Sequence, residues 1–337
     1  MTPPLITVVI PLYNGGFFIS DALNSVLSQT VQDFEIIVVN DGSTDDGVEI
    51  VQSFGDSRIR LINQSNQGDV AARNQGVRNS STKIIAFLDA DDQWRPDFLE
   101  TILKLLEKYP QAGAYATGIV EIIDNKEVFQ QYFTIPNNGF EGLIPDFFKS
   151  AILEERFITS SSVAVKKSVF FDLSGFKEGP AWGSDGDFWA RIALKYPVAF
   201  NSKICSTYFI RHAADKTKQR ITITPEHPFI KSGTEYVSQN LNSGRDFTDV
   251  ILYIDKLRIL SARLNLMYGH SKSARGILID CTHDYYKNQK NFLLMWTLMP
   301  ERLYKPVGQY LFRFCISCVI FIKNVSRSLN YFIFRLN

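Results

Sequence analysis

The sequence predicts an α/β fold in which a mostly parallel sheet is flanked by helices and followed by a C-terminal helical extension. Three observations carry the prediction: short apolar, β-branched runs recur with helically spaced segments between them, unusual polar residues follow three of those runs, and the alternation stops after about residue 225. Short apolar strands alternating with helices form parallel ladders joined by right-handed crossovers. The first run, Ile6 to Ile10 (ITVVI), reads as a strand buried on both faces and stopped by Pro11. Apolar residues at Ile19, Leu23, Val26 and Leu27, with Ser20 or Asp21 to start them, predict a helix, and Phe34 to Val39 predicts the next strand. The rhythm continues with helix 45–54, strand 59–62, helix 71–77, strand 84–88, helix 96–108 and strands 113–123 and 160–165. From Asp246 to Tyr286 the spacing is helical throughout (Ile251, Ile254, Leu257, Ile259, Leu260, Leu264), with no strand following. The expected organisation is an α/β domain over 1–225, a helical region over 226–300 and a separate tail over 301–337.

Composition narrows the function before any motif is considered. The 337 residues carry 36 Lys+Arg against 35 Asp+Glu, which argues against nucleic acid as the partner, because such binding needs a basic excess to neutralise phosphates. Four cysteines (Cys205, Cys281, Cys315, Cys318) are too few and too scattered for a disulfide framework, so a reducing, cytoplasmic location is expected. The stretch Met1 to Leu5 has no basic region leading into an apolar one, so no export signal is read there.

In open α/β sheets ligands bind beyond the carboxyl ends of the strands. Three such ends carry unusual residues: Pro11-Leu12-Tyr13-Asn14, Asn40-Asp41-Gly42-Ser43 and Asp89-Ala90-Asp91-Asp92. Carboxylates at Asp89, Asp91 and Asp92 form a hard-oxygen set suited to Mg²⁺ or Mn²⁺, with phosphate oxygens completing the shell; the plain alternative is a solvated turn feeding the next helix. Asp45 can cap the helix after it, which leaves Asp41 to accept a ligand N–H such as a pyrimidine ring offers. Arg73, near an anionic site, is a candidate for bidentate pairing with phosphate or carboxylate. Trp182-Gly183-Ser184-Asp185-Gly186-Asp187 precedes a helix, and either carboxylate can be a simple cap. Arg211, His212, Lys216, Lys218 and Arg220 make a basic segment whose plain alternative is a solvated linker.

Taken in order, VVIPLYN (Val8 to Asn14), EIIVVNDGSTD (Glu35 to Asp45), ARNQG (Ala72 to Gly76), FLDADD (Phe87 to Asp92) and SDGDFWAR (Ser184 to Arg191) resemble the family 2 glycosyltransferases, inverting enzymes of the GT-A fold. The resemblance covers roughly residues 5 to 225. It implies a nucleotide-diphosphate-sugar donor, most often UDP-linked, a divalent metal, and a saccharide or lipid-linked acceptor in polysaccharide or glycolipid synthesis. Carried over by position, Pro11, Tyr13, Asn14, Asp41, Arg73, Asp89 and Ala90 would surround the nucleotide sugar, and Asp89 and Asp91 would match the Asp-x-Asp metal motif, with His212 a further candidate ligand. Asp185 falls at the family's catalytic base, while Trp182, Ser184, Arg191 and Arg211 would belong to the acceptor side or the loop over the donor. Asn40 and Ser184 stand where the family commonly has a second acid. The rival readings are a non-catalytic nucleotide-sugar-binding protein of the same fold and a haloacid dehalogenase-like phosphotransferase. The latter usually carries its Asp-x-Asp after the first strand, whereas here it follows the fourth, and no G-x-G-x-x-G supports a dehydrogenase.

The tail is charged differently from the rest. Between Glu301 and Asn337 there are six basic residues and one acidic one, leaving 30 basic against 34 acidic in residues 1–300. Its longest uncharged piece, Phe314 to Ile322, is about half of the 18 or more residues needed to span a bilayer. Aromatic and apolar residues interleaved with Lys and Arg predict a helix lying on the cytoplasmic face of a membrane; the alternative is packing on the α/β domain or on a second subunit of a homodimer. Cys315 and Cys318 lack a partner pair and are not read as a zinc site.

Overall fold

The computed structural model describes residues 3–153, 157–178, 182–210 and 226–298. In chain order its elements are β1 (Ile6–Leu12), α1 (Gly16–Leu27), β2 (Phe34–Asp41), α2 (Gly47–Ser53), β3 (Ile59–Gln64), α3 (Asp69–Asn79), β4 (Ile84–Phe87), β5 (Gln93–Trp94), α4 (Phe98–Lys108), β6 (Ala114–Ile123), β7 (Lys126–Phe129), β8 (Glu141–Leu143), α5 (Phe147–Ile152), β9 (Val163–Lys166), α6 (Lys167–Asp172), α7 (Ser184–Lys195), β10 (Val198–Ile210), α8 (Pro228–Gln239), α9 (Thr248–Met267), α10 (Ser271–Ile279) and α11 (Lys287–Trp296). A single turn of 3-10 helix, Ser160–Ser162, precedes β9.

Among the described residues the sheet holds ten strands, ordered β3-β2-β1-β4-β9-β6-β10-β5, with β7 on β6 and β8 on β10. The expected α/β architecture is therefore present. Its longest ladders, β1 with β2, β2 with β3 and β6 with β10, are parallel. The short β9 runs antiparallel to both neighbours, β4 and β6.

Continuous apolar runs follow from burial on both faces. Ile6, Val8, Ile10 and Leu12 of β1 pack with Ile19, Leu23 and Val26 of α1 and Phe98 and Ile102 of α4, while Val9 faces the cluster built on Phe170, Phe176, Phe188 and Trp189. Gly76 lets α3 lie directly on β1, since a Cβ there would sit 2.4 Å from Val9 Cγ1. The strand also continues through Pro11, which was expected to stop it. Val9 bonds toward β4, accepting from Leu88 N–H, so Pro11 faces the same side two residues on, where the β4 ladder has already ended and no N–H is needed.

Strand β10 is absent from the pattern read in the sequence. Asn201, Ser202 and Lys203 interrupt its apolar run at a bulge, marked by register shifts between Asn201 and Ser206. Opposite the bulge stands Gly118, where a Cβ would lie 2.6 Å from Ser202 O.

Residues up to 210 together with 227–254 form one compact unit, and residues from 255 onward a second. By contacts, then, 227–254 belong with the sheet rather than with the later helices, as the Tyr236 hydroxyl on α8 shows by donating to Leu194 O on α7. In the second unit, the buried Asp255 carboxylate accepts from Thr282 N at 2.9 Å and His283 N at 2.7 Å and pairs with Arg258, tying α9 to the segment after α10. The proposed tail, 301–337, lies outside the described residues.

Candidate active site

The carboxyl ends of β1, β2 and β3 are level, and β4 ends on the same side, opposite Val9 and three residues short of the end of β1. Leu12 pairs with Asn40, Asp41 with Gln64, and Val9 with Phe87, which brings the turns after β1, β2 and β4 to one edge. Helix α7 runs back against this direction, because its C-terminal end leads into the start of β10, a strand parallel to β6. Its first turn, with Asp185, therefore lies at the same edge.

Asn14, at φ 47°, accepts from Thr44 N at 2.7 Å while its own N–H donates to Ser43 Oγ at 3.0 Å. Asp45 caps two helices: it accepts from Gly16 N at 2.8 Å at the start of α1 and from Gly47 N at 3.2 Å at the start of α2. Asn40 donates to Asn63 Oδ1 and accepts from Ser43 N, a donor-and-acceptor pair that a carboxylate at that position could not make. Asp41 was expected to stand free for a ligand, yet it is 1% exposed and already accepts from Gln64 Nε2, Gln67 N and Gly68 N, each at 2.8 Å. It shapes the loop between β3 and α3, with one of about four acceptor directions left. Pro11 is buried, and Tyr13 stands at the surface, 36% exposed.

Arg73 is buried and binds carboxylates of the protein itself, with Nη1 2.6 Å from Asp69 Oδ2 and Nη2 2.6 Å from Asp89 Oδ1. Burial opposes its charge, but Asp89 and Asp69 outweigh that and push its pKa above the ordinary guanidinium value, with a smaller contribution from Asp185. Its Nε is buried with no hydrogen-bond partner. The side chain lies over the Phe176 ring at 5.9 Å, and Asn74 beside it holds the Phe176 backbone through Phe176 O and N. Arg73 thus acts first as the counter-ion of Asp89.

Asp89, Ala90 and Asp91 are half-buried and Asp92 is 1% exposed. Burial pushes the Asp92 carboxyl well above the usual carboxylate range, and Asp89 and Asp91 push it the same way. No three His, Cys, Asp or Glu side chains surround a common point among the described residues. Asp91 and Asp89 are the hard-oxygen side chains this turn offers, a donor type that would suit Mg²⁺ or Mn²⁺ if phosphate oxygens supplied the rest of the shell.

The two carboxylates of α7 part company. Asp185 is exposed, contacting only its neighbour's N–H at Gly186 among the hydrogen bonds resolved for it. Asp187 is fully buried, accepting from Arg191 Nε at 2.7 Å and Ser232 Oγ at 2.6 Å. Arg191, expected on the acceptor side, instead turns inward and donates to Leu173 O and Gly175 O. Ser184 is buried and Trp182 half-buried, its ring edge-on to His227 at 5.2 Å. Gly183 is required twice over: φ is +78°, and a Cβ would meet His227 Cδ2 at 2.4 Å. Arg211 and His212 lie outside the described residues.

Burial holds the His227 imidazole down at about 4, against a weaker upward pull from Asp187. Because the unfolded side chain titrates near 6.5, acidification loads a proton onto the unfolded chain first. The stability His227 contributes is complete above pH 6.5 and is lost as pH falls toward 4, amounting to about 3 kcal/mol. Urea unfolding at pH 7 and pH 4.5 checks this: His227→Gln is expected to lose less stability between the two than the parent, and an equal loss contradicts it.

Ser161 has no counterpart in the sequence reading. Its hydroxyl bridges the Asp89 N–H and the Asp92 carboxyl from about 70 residues away, a pairing that no local pattern announces.

The chain matches the family described as "Glycosyl transferase family 2" over residues 7–170. An uncharacterized glycosyltransferase of Nostoc sp. is 30% identical over 287 residues, covering 79% of this chain and 84% of that protein. Glycosyltransferase GlyA of Streptococcus pneumoniae is 43% identical over 216 residues, 61% of this chain and 30% of its own length. An uncharacterized glycosyltransferase of Rickettsia felis is 30% identical over 208 residues, again with only 33% of its length covered. The chain thus spans about a third of the length of these last two relatives. Among solved structures, S. aureus TarS 1–349 in complex with UDP-GlcNAc aligns with a TM-score of 0.62 at 18% identity, over 89% of this chain and 82% of that one.

Proposed function

The chain belongs to glycosyl transferase family 2, and on that premise we propose that this glycosyltransferase moves a sugar, with inversion, from a UDP-sugar to a hydroxyl acceptor. The observation that carries the reading is one exposed carboxylate, Asp185, at the same sheet edge as the Asp89-Ala90-Asp91 turn. The UDP-GlcNAc held by the TarS structure of the same fold supports a uridine nucleotide as the donor's carrier.

In the proposed reaction Asp185 accepts the proton of the acceptor hydroxyl as its oxygen attacks the anomeric carbon. The bond from that carbon to the diphosphate breaks, and the nucleotide diphosphate leaves. A divalent cation held by Asp91, with Asp89 beside it, would neutralise the charge gathering on the departing diphosphate. Asp41 and the loop it shapes, with Pro11, Tyr13 and Asn14, would form the nucleoside end. Asp89 is ion-paired to Arg73, which disfavours its use as a phosphotransferase nucleophile. The acceptor is proposed to be a growing surface polysaccharide or glycolipid presented at the cytoplasmic face of a membrane, with the basic tail 301–337 on the lipid surface. Among the described residues no helix is long and apolar enough to cross a membrane.

Calorimetric titration with UDP, with and without Mn²⁺, tests the donor reading. The parent is expected to bind UDP more tightly with Mn²⁺, and Asp91→Asn to lose that gain by at least about tenfold. Metal-independent binding that Asp91→Asn leaves unchanged contradicts the assignment.

A further inference from the structure

We infer that Ser161 is a positioning residue for sugar transfer, holding the Asp89–Asp92 turn in the shape that receives the diphosphate. The inference rests on the reading of Asp89 and Asp91 as the diphosphate site. Ser161 comes from the 3-10 turn before β9 and is 1% exposed. Its Oγ accepts from Asp89 N at 3.1 Å and donates to Asp92 Oδ2 at 2.5 Å. The other Asp92 oxygen accepts from Phe209 N on β10 at 3.1 Å. The Ser161 carbonyl in turn accepts from Trp94 Nε1 and from Ser206 Oγ, each at 2.7 Å. One buried serine therefore joins the Asp-rich turn to Trp94 of β5 and Ser206 of β10.

Leu88 N bonds to Val9 O and Asp92 N to Asp89 O, and beyond these the ladder has ended. The Asp89 side chain is fixed by Arg73 and its N–H by Ser161; Asp92 is fixed by Ser161 and Phe209. Asp91 lies between two residues anchored from outside the turn. A carboxylate aimed at a metal-bound diphosphate must be set before the ligand arrives, because small misplacements of such groups are costly. Ser161 supplies that setting without reaching the donor itself.

The test compares the parent with Ser161→Ala, Ser161→Cys and Ser161→Thr in the full chain. Hydrogen exchange over residues 88–94, with neither metal nor nucleotide present, is expected to be faster in the Ala and Cys variants and restored in Thr. UDP affinity in Mn²⁺ is expected to fall about tenfold in Ala and Cys, with metal-free affinity unchanged and Thr again restoring it. Ala shrinks the side chain and Cys enlarges it while both weaken or remove the hydrogen bonds, so a loss shared by the two with recovery in Thr identifies bonding rather than packing. Parent-like exchange and affinity in Ala and Cys overturn the inference. So does an equal loss of metal-free and metal-bound affinity in all three variants, which marks a role in folding alone. A parent that shows no gain from Mn²⁺ overturns the diphosphate reading instead, while exchange at the turn still decides whether Ser161 holds it.

Discussion

Asp185→Asn is expected to lower sugar transfer by about a thousandfold or more while leaving UDP affinity within about twofold of the parent, the signature of a lost general base. The amide keeps the shape and exposure of the carboxylate at the start of α7 but cannot take the acceptor's proton. Asp187→Asn, two residues on, is expected to behave differently. Its side chain is fully buried between Arg191 and Ser232, so that variant loses stability rather than chemistry alone. Steady-state rates, UDP titration and thermal unfolding on the two variants separate the roles. Turnover in Asp185→Asn equal to the parent's would move the base elsewhere, and the burial of Asp187 leaves it no route to the acceptor.

The second large effect is on stability. Arg191→Met is expected to destabilise the chain by about 3 to 5 kcal/mol, because it leaves the Asp187 carboxylate buried without its cation. It also strips two donors from the backbone carbonyls of Leu173 and Gly175. Those carbonyls flank the turn before Phe176, on whose ring Arg73 lies, so the damage is expected to spread to the donor side. Urea unfolding measures the loss. A variant as stable as the parent but with a raised acceptor KM would restore Arg191 to the acceptor side, where its place in the motif alone had suggested it.

Much of this was legible in the sequence where periodicity and strand ends coincide. The runs at Ile6, Phe34 and Ile84 became neighbouring strands, and the polar residues after them reached one edge because parallel strands end together. What escaped was set by partners distant in sequence. Nothing near Ser161 shows that its hydroxyl meets Asp89 and Asp92, and the spacing of Asp185, Asp187 and Arg191 fits solvent-facing and inward-facing carboxylates equally well. Asp41 reads as free in the sequence because two of its three donors are backbone N–H groups, which have no signature in residue type, and the third, the Gln64 amide, comes from a different strand. Strand β10 was hidden for a related reason: its polar bulge is tolerated only because Gly118 leaves room on the neighbouring strand. Its neighbour β5 consists of only Gln93 and Trp94, too short for any period to register.

Asp185 and the Asp89–Asp91 turn are proposed to act together on one nucleotide sugar, and release of the nucleotide decides whether they do. With a panel of UDP-sugars and saccharide acceptors, the parent is expected to release UDP with one donor in Mn²⁺, and to stop on chelation or in Asp185→Asn. UDP release that proceeds unchanged in chelator and in Asp185→Asn would contradict the claim.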